Sequence, residues 1–320
     1  MASSKSVVIA ALIANAVIAI LKFIGYLLTL SPAMLSETYH SISDTGNQLF
    51  LLLGIRYGGK EATREHPFGY GKAQFFYSFL VSVLLFGIAG WESAKHGYTA
   101  LTKGVHHAAM RPEIFGVSFP AVWVNYGVLI GAILFEGWAL SKANAAMQRQ
   151  IDRHNWSGLV EAFRKTSDVT TLTAFTEDTI AMLGAAIALV GVFLTNVTGN
   201  PLYDAVAALI IGLLLMSFAV ALAWENKRLL LGESLPRSEE ITLKQIILDR
   251  DGVVDIIDFR SVYFGPERII IAADVSFESN LDTDEIDSRI TAIEDAIVEQ
   301  NGSVRKVYIE PETHRYDPST

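Results

Sequence analysis

The stretch SETYHSISDTGNQ, residues 36–48, places His40 and Asp44 four residues apart, just ahead of the apolar run LFLLLGI. On a helix, positions i and i+4 share a face with Cβ atoms about 5–6 Å apart. An imidazole nitrogen and a carboxylate oxygen can therefore address one point, and both suit Zn2+ and some neighbouring divalent metals. The plain alternative is a packing pair, a neutral histidine hydrogen-bonded to a nearby carboxylate. In lipid the balance moves towards a task, because a buried carboxylate costs roughly a few kcal/mol unless a partner compensates it. Asn47, about one turn after Asp44, reads equally as a packing residue or as one that hydrogen-bonds a ligand from behind.

A second constellation lies in TAFTEDTIAMLGAAIALVG, where Glu177 and Asp178 are adjacent within an apolar stretch. Two carboxylates in lipid repel each other and either hold protons or recruit a cation. If the two stretches pack together as helices, His40, Asp44, Asp178 and Glu177 supply a four-ligand set of tetrahedral type. The alternative for the acids is a helix start at the membrane surface, where negative charge suits the helix dipole. Glu136, inside ILFEGWAL, and Glu92 are further intramembrane acids, and Glu136 is the candidate for proton handling. The adjacent His106 and His107 cannot share a helical face and read as solvated. Gly25, Gly54, Gly131 and Gly184 read as positions where helices approach closely.

These residues must be carried by membrane helices. Of 320 residues 51% are hydrophobic and only 18% charged, against about a quarter charged in a soluble domain. Six stretches approach the roughly 20 apolar residues that a bilayer core requires: about 6–30, 33–56, 74–98, 114–141, 169–196 and 201–224. The first is too long for a signal-peptide core and reads as a retained helix. Arg56, Lys60, Arg64 and Lys72 follow the second stretch; Lys142, Arg149, Arg153, Arg164 and Lys165 follow the fourth; Lys227 and Arg228 follow the sixth. By the positive-inside tendency both termini are cytoplasmic. The expected location is the inner (plasma) membrane of a bacterium.

After Leu235-Pro236 the periodicity changes. SEEITLKQIILDRD reads as an amphipathic helix with Ser238 as N-cap. VVDIIDFRSVYF and RIIIAADVSF read as strands joined at Gly265-Pro266, DTDEIDSRITAIEDAIVEQ as a helix ending at Asn301-Gly302, and SVRKVYIEPE as a third strand. The expected organisation is a six-helix transmembrane domain over 1–228, a linker over 229–237 and a cytoplasmic αββαβ, ferredoxin-like domain over 238–316. The net charge of −9, concentrated in this tail, argues against nucleic-acid binding. With no cysteine there is no thiolate site. No nucleophile constellation, phosphate loop or dinucleotide fingerprint is present, so the chain does not read as an enzyme and needs no cofactor.

Six apolar stretches, an αββαβ tail and His-x-x-x-Asp in the second stretch resemble the cation diffusion facilitators, the zinc transporter family. HPFGYGKAQ is similar to that family's HPFGxGKAE signature, with Gln74 in place of the acid, and GESLP sits where the family joins membrane and cytoplasmic parts. TEDTIAMLG and TGNPLYDAVAALIIG look most like the branch that includes the animal mitochondrial zinc transporter. The resemblance implies a homodimeric secondary transporter that exports Zn2+ from the cytoplasm in exchange for protons by alternating access. His40 is then the pH-sensitive ligand, since imidazole must be neutral and carboxylates ionised to hold metal.

The sequence also departs from the family. Anchored on Gly184, Asp178 falls on the family's aspartate and Ala174 on its second histidine, leaving Glu177 as the substitute although it points about 100° away. The site is richer in oxygen, which leaves Mn2+, Co2+ and Fe2+ as alternatives to Zn2+. In the loop after the second stretch His66 is present, but Thr63 and Tyr70 stand where some relatives have ligands. In the tail Glu310 and Glu312 match late ligand positions while Ile257 and Ala273 do not, and His314 is the tail's single histidine, so the tail reads mainly as a dimerisation domain. Lys72 matches a lysine that pairs with an acid in some relatives, and Glu233 is the nearest acid. The rival readings are a passive metal channel and a non-transporting membrane sensor or scaffold.

Overall fold

The computed structural model describes residues 2–104, 113–114, 117–118 and 120–312. His106, His107 and His314 lie outside them. Contacts divide the described chain into two compact units, one reaching to Arg56 and resuming over Phe76–Lys227, the other combining Tyr57–Phe75 with the residues from Arg228 onwards.

The first unit is helical. Helix α1 (Ala2–Thr29) turns sharply through Leu30, which adopts positive φ, into α2 (Pro32–Gly58). Ser31 caps α2 by accepting from the Met34 amide, with Pro32 in the first turn, where its missing N–H costs nothing. Helices α3 (Lys72–Leu84) and α4 (Trp91–Lys103) form one rod interrupted by a π-helical turn at Leu85–Gly90. Then come α5 (Val122–His154), the short α6 (Leu159–Lys165), α7 (Val169–Thr198) and α8 (Leu202–Leu231). Four of these rods are long and apolar enough to cross a membrane: Lys72–Lys103, Val122–His154, Val169–Thr198 and Leu202–Leu231, with a shorter apolar stretch at Asn15–Thr29. Their outer faces expose Leu134, Trp138, Phe193 and Trp224, an arrangement that water disfavours and lipid accepts. The molecule is an α-helical membrane protein. Ala33, Met34, Leu129, Ile180, Ile211 and Leu215 are buried together between α2, α5, α7 and α8.

The fourth stretch differs from expectation at both ends. The fourth stretch was expected to be helical from residue 114, but Glu113–Ile114 (β1) pairs antiparallel with Val117–Ser118 (β2), and the helix begins after Pro120. It also runs well past 141, because Ala143, Met147 and Ile151 recur every fourth residue and bury one stripe. An average over apolar residues does not detect such an amphipathic extension.

The second unit holds α9 (Arg237–Leu248), β3 (Val253–Gly265), β4 (Arg268–Phe277), α10 (Thr283–Gln300) and β5 (Val304–Pro311). β3 and β4 are antiparallel across the Gly265-Pro266 turn, and β5 joins β4 in parallel, giving the order β3-β4-β5. Ile269, Ile271, Ala273 and Val275 alternate along β4 into a core with Leu243, Ile247, Ile293 and Ile297. Ser238 is not the N-cap of α9; Pro236 holds that place and has no side-chain cap. Asp282 instead caps α10 in a reciprocal box with Glu285.

Candidate metal site

The N-terminus of α2 is pinned by Asp204 at the start of α8. Its Oδ1 accepts from the Ser31 hydroxyl at 2.9 Å and from the Ala33 amide at 3.2 Å. A carboxylate at this helix end also suits the dipole. From that anchor α2 sends a polar stripe into the helical unit: Glu37, His40, Asp44 and Asn47, all buried. The spacing of three, four and three residues keeps them on one face.

His40 Nε2 lies 3.4 Å from Asp44 Oδ2, as their spacing predicts. The two are neighbours, yet neither imidazole nitrogen completes a hydrogen bond, since at this separation the geometry falls short of one. Glu37 Oε1, Ser43 Oγ, Asp44 Oδ1 and Asn47 Oδ1 are likewise buried without a hydrogen-bond partner. Asn47 donates to Glu177 Oε1 at 2.8 Å and so ties α2 to α7. Further along the same two helices, a Cβ on Gly184 would meet Glu37 Oε1 at 2.5 Å. Residues 177 and 184 are seven apart, nearly two full turns, so they share the α7 face that looks at α2. Glu177 is buried on that face, whereas its neighbour Asp178 is only half-buried.

Glu136 is buried on α5, which packs against α7. Among the described residues no three His, Cys, Asp or Glu side chains stand close enough to hold one metal ion. The structure therefore brings His40 to Asp44 and Asn47 to Glu177, but does not gather the expected four donors on a single point.

Two residues of the site escaped the reading of the sequence. Lys22 on α1 is fully buried, and its Nζ donates to Glu37 Oε2 at 2.8 Å, with neither side chain exposed. Removing one member of a buried pair costs about 3–5 kcal/mol, because it strands the other charge. Glu37 was legible as the residue three before His40, on the same face. Lys22 carried a weaker signal, one cation inside AILKFIGYLL.

Of the expected close-packing glycines, Gly25 and Gly184 do meet side chains of neighbouring helices, while a Cβ on Gly131 would meet nothing within 4 Å. Glu92 pairs with Lys95 at the helix surface, 3.2 Å away. In the second unit Lys72 donates to the Leu230 carbonyl at 3.4 Å, where a cation suits the end of α8. Glu233 pairs with Arg228 at 2.5 Å. The Thr63 and Tyr70 hydroxyls hydrogen-bond each other at 3.2 Å, and Ala273 points into the core while Glu310 is exposed.

A family model for the cation efflux transmembrane domain matches residues 8–231. The mitochondrial proton-coupled zinc antiporter SLC30A9 of Homo sapiens is 29% identical over 87% of this chain and 46% of its own length. Metal tolerance protein C4 of Arabidopsis thaliana is 28% identical over 87% of this chain and 58% of its own. An uncharacterized transporter of Methanocaldococcus jannaschii is 22% identical over 94% of this chain and 95% of its own. The chain thus spans about half the length of the first of these relatives.

Proposed function

This chain belongs to the cation efflux family, the cation diffusion facilitators, and we propose that it is a secondary transporter exporting Zn2+ from the cytoplasm in exchange for protons. The supporting observation is the row of buried, unpartnered N and O atoms along α2, on the face turned to α7. Each such atom costs about 1–3 kcal/mol, and a divalent cation would satisfy several at once. In this proposal His40 and Asp44 hold the metal with Glu177 and Asp178, Asn47 orients Glu177, and Glu136 handles protons. The cation would be reached from α2 by His40 and Asp44 and from α7 by the Glu177 carboxylate that Asn47 holds. Metal and protons compete for the same atoms, so a proton gradient biases release.

The same reading gives six spans, with α2 crossing by virtue of its helical partners despite its polar face. Both termini lie in the cytoplasm, the αββαβ unit is ferredoxin-like, and the transporter rocks as a homodimer in a bacterial inner membrane. A Lys72–Glu233 contact belongs to the same proposal. The human relative, a mitochondrial proton-coupled zinc antiporter, favours Zn2+. The single histidine favours admission of Mn2+, Co2+ or Fe2+ as well.

The test is metal flux into proteoliposomes under an imposed pH gradient. Zn2+, Mn2+ and Co2+ are compared for wild type and Asp44→Ala. The expected outcome is gradient-dependent Zn2+ flux that Asp44→Ala lowers by at least the roughly 10–100-fold that losing even a residue behind a metal ligand costs. Folded protein that moves no metal would replace the proposal with a membrane sensor or scaffold.

A further inference from the structure

Among the described residues Lys22 is the single fully buried Lys or Arg, and it lies inside a helix that the transport reading places in the membrane. Its partner Glu37 occupies the same α2 face as His40 and Asp44, one and two turns ahead of them. The second Glu37 oxygen has no hydrogen-bond partner and abuts Gly184 of α7. A lysine held in an ion pair with Glu37 therefore stands beside a stripe whose proposed ligand is itself a cation.

We propose that the Lys22–Glu37 pair sets the affinity of the site for the transported metal, with Lys22 opposing binding by repulsion and Glu37 partly cancelling that repulsion. The inference rests on the transport reading. Its physical basis is that a divalent ion and a unit charge interact strongly across a protein interior. Even at an effective dielectric constant of about 20 and a separation of about 10 Å, one unit charge alters affinity at least about tenfold. An opposing lysine also has a use in transport, because a site that binds too tightly cannot release its ion. A pair that merely braces α1 against α2 acts differently. Losing either member would then loosen the same contact and shift metal affinity in the same direction.

The test is equilibrium Zn2+ binding to the purified full chain in detergent, at fixed pH, read against a competing zinc indicator. The proteins are wild type, Lys22→Met, Glu37→Gln and the double variant, each checked for a monodisperse folded profile. Lys22→Met should tighten Kd about tenfold and Glu37→Gln should weaken it about tenfold. The double variant, neutral at both positions, should return to within about threefold of wild type. If one single variant fails to fold, the double variant against the surviving single reads the same sign. Shifts in one direction, or none, overturn the inference. Wild type that binds Zn2+ while its variants are unshifted overturns this inference alone; wild type that binds no Zn2+ overturns the transport reading with it.

Discussion

Asn47 separates the two acids of α7 by what each can reach. It donates to Glu177, which faces α2, while Asp178 is turned about a quarter of the way round the helix and is half-buried. In the proposed site a cation at His40 and Asp44 would therefore meet the Glu177 carboxylate more directly. Glu177→Gln should weaken Zn2+ binding at least about tenfold, about 1.4 kcal/mol or more, and Asp178→Asn should weaken it less. A titration in which Asp178→Asn is the more damaging would restore the assignment made by matching Gly184 to the family pattern. The residue pairs within one helix were legible because spacing alone determines which side chains share a face. Spacing brought out His40, Asp44 and Asn47, and Glu37 extends the same rhythm backwards. The Lys22–Glu37 pair was not legible, since it joins two helices, and helix-to-helix contacts have no signature in the spacing of either.

Helix contacts at the next scale depend on whether backbones can approach. A Cβ placed on Gly97 of α4 would strike the backbone of Leu209 in α8, and one placed on Gly212 of α8 would strike Ala94 of α4. The rigid atoms on both sides leave no room for adjustment. Gly97→Ala should therefore lower stability by about 1–3 kcal/mol, as overpacking does. Gly131→Ala, on an exposed face of α5 with nothing within 4 Å, should be neutral or stabilising by up to about 1 kcal/mol through helix propensity. Paired thermal melts in detergent check both, and equal melting temperatures for the two variants would count against a close α4–α8 seam. The cores of the helices were legible from apolar length, and those of the strands from alternation around Gly265-Pro266. Their ends were less so. The reach of α5 to His154 depends on an amphipathic stripe, and the start of α9 depends on a proline rather than on Ser238.

At the scale of the whole chain, the second unit is assembled from two distant parts of the sequence, which no linear division of the chain could have anticipated. The segment Tyr57–Phe75 covers the β3–β4 hairpin. The Phe68 ring lies 5.6 Å from that of Phe264, and Lys72 Nζ stands 5.2 Å from the same ring. A Cβ on Gly71 would strike the Phe264 carbonyl oxygen, so backbone meets backbone there. The residues from Arg228 onwards have their own core and a capped helix, enough for a fragment of this size to fold, though with little margin. Such a fragment should unfold cooperatively in urea, with Phe264 more exposed than in the full chain. Fusing Tyr57–Phe75 to it should raise the unfolding free energy by about 0.5–1.5 kcal/mol for the aromatic pair alone. Gly71→Ala in the fused protein should abolish that gain, because the opposing atom is main chain and cannot swing aside as a side chain does. Identical midpoints with and without the segment would mean that the loop rests on the hairpin without stabilising it. A gain that Gly71→Ala removes would make Tyr57–Phe75 an integral layer of the second unit, although in sequence it runs from the end of α2 to the start of α3.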